Sequence, residues 1–105
     1  MTAFKLLLSD YEVDRGDQPS IPFRVRDSLC EVLMNPARKL NGPELLKAHA
    51  LGQKILDAEG DFILLNQDEI NALRSGIKAA TGLGRAEVEL VRRILEAEEV
   101  DVTEA

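Results

Sequence analysis

From Val25 to Leu95 the apolar residues recur at spacings of three and four, and punctuation cuts that run into four helix-length pieces. Val25, Leu29, Val32 and Leu33 share one helical face, with Asp27 in the first turn, and Asn35-Pro36 stops the segment. Asn41-Gly42-Pro43-Glu44 opens a second helix, with proline near the first helical position and an acid beside it. This helix runs to about Ala58, and Leu45, Leu46, His49, Leu51, Ile55 and Leu56 are its larger hydrophobic or semi-polar members. Asn66 followed three residues later by Glu69 predicts a capping box, which starts a third helix carrying Ile70, Leu73 and Ile77 inward. "TGLG" ends it, with Gly82 and Gly84 expected at positive φ. A fourth helix begins near Arg85, with Val88, Val91, Ile94 and Leu95 as its apolar face. Pieces this short cannot form a long coiled coil. They must fold back on one another.

The remainder reads as extended chain. "AFKLLL" (residues 3–8) is bounded by turn formers and predicts a strand. Gly16 and Pro19 mark a loop or hairpin tip, and "IPFRVR" predicts a returning strand, with Pro22 at an edge or at the strand start. "FILL" (62–65) is a short apolar run that reads as a buried crossing or as a short strand, which would lie beside this hairpin. The tail "EAEEVDVTEA" holds five acids and no base. Negative charge opposes the dipole at a helix C-terminus, so fraying is expected beyond about Glu98. The fold class expected is α+β and mainly helical: a single domain 1–105, with a short N-terminal β-hairpin (1–24), a body of about four helices around one aliphatic core (25–99) and a frayed acidic tail (100–105).

Composition sets the kind of core. Apolar residues make up 45% of the 105, yet there is no tryptophan, one tyrosine and three phenylalanines, so the interior must be Leu, Ile, Val and Ala. The net charge of −6 is lopsided: residues 1–56 hold eight Lys/Arg against seven Asp/Glu, and residues 57–105 hold five against twelve. Such an excess repels phosphate backbones and anionic bilayers, so direct nucleic-acid binding and membrane binding are disfavoured. Cys30 is the one cysteine, which rules out an intramolecular disulfide. The first residues lack the cleavage site of a signal peptide, and no apolar run nears the ~20 residues of a membrane span. A cytoplasmic protein is expected.

Chemistry-bearing constellations are sparse. "LDAEGDFILLNQDE" has the outline of a calcium loop, with Asp57, Glu59 and Asp61 at alternate positions. Its sixth position is Phe62 where an EF-hand needs glycine, its ninth is Leu65, and its twelfth is Asp68 where a bidentate Glu is usual. The third and fourth helices could imitate a helix-turn-helix, but Glu87 and Glu89 occupy the turn that would meet base edges. Cys30 has only His49 as a conceivable base, on another helix, and no phosphate-binding glycine loop is present. No catalytic, cofactor-binding or metal-binding residues are assigned, and no cofactor is expected.

The ordered segments "VRDSLCEVLM", "LNGPELLKAHALGQKI", "FILLNQDEINALRSGIKAA" and "GRAEVELVRRILE" resemble a group of small phage and prophage proteins. The likeness runs from Arg24 to Glu99, with Pro43 where that group has an acid and a departure over "TGLGRAEVELV". It implies a bacterial host or a virion as the setting and a small binding protein as the role. The expected function is therefore non-enzymatic, an assembly accessory or adaptor that binds protein and forms a homo-oligomer. Phe4, Leu6, Leu8, Ile21 and Phe23 are the candidate self-interface, since two short strands cannot hide that much apolar surface. The alternative is an acidic inhibitor of a basic host nucleic-acid-binding protein. It would use Glu87, Glu89, Glu96, Glu98, Glu99 and Asp101.

Overall fold

The computed structural model describes residues 2–102 and shows a mixed α+β fold with four α-helices and two small sheets. The central strand β1 (Thr2–Leu7) lies between β4 (Phe62–Leu65) and β5 (Glu98–Asp101), antiparallel to both. Phe4 stands opposite Leu65 and Leu6 opposite Ile63, so alternation turns these four side chains and Leu8 to one face. Helices α1 (Val25–Leu33), α2 (Gly42–Asp57), α3 (Gln67–Ala79) and α4 (Val88–Leu95) complete the layer that covers it. Val25, Leu29, Leu33, Ile55, Leu65, Ile70, Leu73 and Ile94 are sealed from solvent in one aliphatic core.

Local chemistry explains the helix starts. Asn66 Oδ1 accepts from Glu69 N at 2.8 Å, and Glu69 Oε1 accepts from Asn66 N at 2.9 Å, forming the predicted capping box. Asn41 and Glu44 form a second one at the start of α2. The helix ends are held differently, by arginines from other elements. Arg38 donates to Leu33 O at the end of α1, and Arg74 to Ile94 O and Leu95 O at the end of α4. Arg26 reaches Ile55 O, Leu56 O, Ala58 O and Gly60 O beyond the end of α2. Each guanidinium satisfies carbonyls that the helix itself cannot, at its negative pole.

Where α1 crosses α3, Gly76 meets Val32. A Cβ on Gly76 would lie 2.6 Å from Val32 Cγ1 and equally close to Val32 O. Only glycine permits that approach.

Four expectations are corrected. The N-terminal hairpin does not contain residues 3–8: it is β2 (Tyr11–Arg15) paired with β3 (Gln18–Phe23), while β1 is claimed by β4 and β5. Gly16, at φ 70°, turns this ribbon at the tip, the hairpin reading of that stretch and not the loop. The acidic tail does not fray from Glu98. The α4 helix stops at Leu95, and Glu98–Asp101 pairs with β1, placing Val100 opposite Ala3; residues 103–105 lie outside the described residues. Gly82 has the expected positive φ of 75°, but Gly84 is extended at −122°, because α3 already ends at Ala79. Finally, a 3-10 turn over Arg85–Glu87 sets the phase of α4 so that Leu90 and Ile94 point inward, while Val88 and Leu95 are exposed.

Candidate interaction surfaces

The candidate self-interface residues divide between core and surface. Phe4, Leu6 and Leu8 are buried, with Leu6 only 1% exposed, so they cannot meet a partner in the folded chain. Their neighbours are the helices, since the sheet presents this face inward. Phe23 stacks on Tyr11 with ring centroids 4.8 Å apart, fixing the base of the β2–β3 ribbon. Tyr11 Oη donates to Ala86 O at 2.7 Å, and the Arg93 guanidinium lies 5.1 Å from the tyrosine ring. Burial pushes the Tyr11 phenol up, against a smaller opposing pull from the Leu90 backbone and from Arg93. Ile21, opposite Val13, is exposed further out on the ribbon.

A different apolar surface lies on the reverse of the three-stranded sheet. The register that sends Phe4, Leu6, Ile63 and Leu65 inward sends Leu7, Phe62 and Leu64 outward. Leu7 faces Phe62 across the ladder, and Lys5 faces Leu64. All three hydrophobics are exposed, Phe62 by 45%, and Lys5 Nζ sits 4.7 Å above the Phe62 ring. The run "FILL" was legible as a strand, but its two-sided character was not. A four-residue apolar run gives no sign of which face is covered.

The acidic residues also divide. Glu87 accepts from Gly84 N and so belongs to the start of the 3-10 turn. Glu89 binds Arg93 at 2.8 Å and Arg92 at 3.5 Å, and Glu96 lies 3.7 Å from Arg92. These three are local structure on α4. Glu98, Glu99 and Asp101 instead make up most of β5 and border the sheet.

The remaining constellations resolve into structure. Around the calcium-like outline, Arg26 occupies the carbonyls of Ala58 and Gly60. No group of three or more metal-ligating side chains occurs among the described residues. Cys30 Sγ faces Gly52 O at 3.5 Å between α1 and α2, while His49 is exposed on α2. Burial, then the nearby Asp27 and Glu31 carboxylates, push the Cys30 thiol up and keep it protonated. A groove of about 560 Å³ between α2 and α3 is floored by Leu40, Ala48, Leu51 and Ala72 and rimmed by both signs of charge. Arg38 Nε on its border is shut off from solvent and has no hydrogen-bond partner.

Among the described residues no helix is long and apolar enough to cross a membrane. No protein-family model, curated relative or solved structure matches the chain.

Proposed function

We propose that this chain is a non-enzymatic protein of phage or prophage origin that works by binding protein, as an assembly accessory or adaptor, and that it self-associates. The bacterial cytoplasm or a virion is its setting. The observation that carries the reading is the outer face of the three-stranded sheet, where Leu7, Phe62 and Leu64 stand together in solvent. Sheets usually cover an apolar face with a helix or a second sheet, and a clustered patch left open marks an interaction surface. The non-enzymatic part is supported by Cys30, whose thiol faces a backbone carbonyl and is pushed up by burial and by the Asp27 and Glu31 carboxylates, against thiolate formation.

A second reading rests on β5. Its acids could engage a basic surface on a host nucleic-acid-binding protein. Salt separates the two. Light scattering on the native chain at low salt and at about 0.5 M, where the Debye length is ~4 Å, is expected to give a dimer or larger species at both. A monomer under both conditions at every concentration would remove self-association. Capture of a basic protein at low salt only would then favour the acidic inhibitor.

A further inference from the structure

We infer that a second copy of this chain pairs along the free edge of β4, antiparallel to it, joining two three-stranded sheets into one of six strands. The inference rests on the self-association reading and names the surface that performs it.

The ladder decides which backbone groups are available. Leu8 N donates to Asp61 O at 2.7 Å, which makes that opposed pair a hydrogen-bonded one. In an antiparallel ladder such pairs alternate, so Leu6–Ile63 and Phe4–Leu65 are also bonded, while Leu7–Phe62 and Lys5–Leu64 are not. The N–H and C=O of Phe62 and Leu64 therefore point away from β1. They meet no hydrogen-bond partner among the described residues. The residues that present an open edge are thus two of the three whose side chains make the exposed apolar face.

Charge decides which edge is used. The sheet has two, β4 and β5. Three of the four β5 residues are acids, and self-pairing there would set like charges against each other. The four residues of β4 are Phe-Ile-Leu-Leu, so two copies that each carry a net charge of −6 can approach along it without opposing carboxylates.

The register follows. Only when Ile63 lies opposite Ile63 of the second copy do Phe62 and Leu64 both find bonded partners, each in the other. Asp61 then falls opposite Leu65 instead of opposite itself. On the outer face the rows become Leu7, Phe62, then Leu64 and Lys5 of the second copy, an apolar seam with a lysine at each end. Four residues span only about 13 Å at ~3.3 Å each. The contact therefore belongs with small, weak interfaces and is concentration-dependent.

The test is the mass of the full chain over a range of concentrations, compared with two variants. Leu64→Pro removes the outward N–H but leaves the β1–β4 bonds, which belong to Ile63 and Leu65. Leu46→Glu alters a different exposed leucine, 72% accessible on α2. The expected result is a dimer for the native chain and for Leu46→Glu, and a monomer with a native circular-dichroism spectrum for Leu64→Pro. A folded Leu64→Pro dimer would overturn the edge pairing while leaving self-association intact. A native chain that stays monomeric at every concentration would end both. Should Leu64→Pro not fold, hydrogen exchange in the native chain decides. Phe62 and Leu64 amides that gain protection as concentration rises support the seam, and amides that exchange fast throughout refute it.

Discussion

Gly76 carries the tightest approach of any glycine described, with Val32 Cγ1 and the Val32 carbonyl both pressed where a Cβ would stand. A side-chain methyl can rotate aside, but a helix carbonyl cannot. Replacing Gly76 with alanine favours the isolated helix by up to ~1 kcal/mol. Overpacking of this kind costs about 1–3 kcal/mol. The expected net result is a loss of roughly 1–2 kcal/mol, read as a lower urea midpoint at unchanged slope. No sequence signal marks Gly76 as different from any other glycine in a helical stretch. Its constraint comes from Val32, forty-four positions earlier.

At the scale of elements, what was legible was what is local. The capping box at Asn66 and Glu69 closes within four residues, and the inward stripes of α1 and α3 follow from period alone. What holds the helix ends was not legible. Arg26 sits on α1 yet secures the end of α2, across a separation of 29 to 34 residues. In sequence it reads as one more surface cation. Changing Arg26 to alanine removes four charge-assisted bonds and should destabilise the chain by about 1–3 kcal/mol in urea unfolding, because the loop from Ala58 to Gly60 loses its anchor. Lysine at this position should recover less than half of that, since one ammonium cannot span carbonyls that the planar guanidinium reaches together. Equal stability of the alanine variant and the native chain would show that these carbonyls are as well served by water. Three of the five self-interface residues were misplaced for a related reason. Phe4, Leu6 and Leu8 looked like surplus apolar surface only because the strands and helices that bury them lie far along the chain.

The whole molecule has a firm part and a loose one. The three-stranded sheet and its helices share one core, whereas the β2–β3 ribbon is fixed mainly at its base, through Tyr11 and Phe23. Beyond that base, Asp14 to Pro22 are exposed on every side, and a two-stranded ribbon is barely stable alone. Amide exchange should therefore be fast from Val13 to Ile21 and slow by orders of magnitude at Leu6, Ile63 and Leu65. Uniform protection along the ribbon would mean that something covers it in solution.

The central position of β1 has a consequence in time. Within this sequence β1 is made before both of its neighbours, one from mid-chain and another more than ninety residues later. Until β5 has been synthesised one side of β1 stays open, and the Arg93 link to Ser9 must wait for α4. Such distant pairings slow folding, and a nascent strand "AFKLLL" waiting for its neighbours is exposed to the wrong ones. The order of manufacture and the order of the sheet are at odds, so a growing chain depends on what shields its first strand.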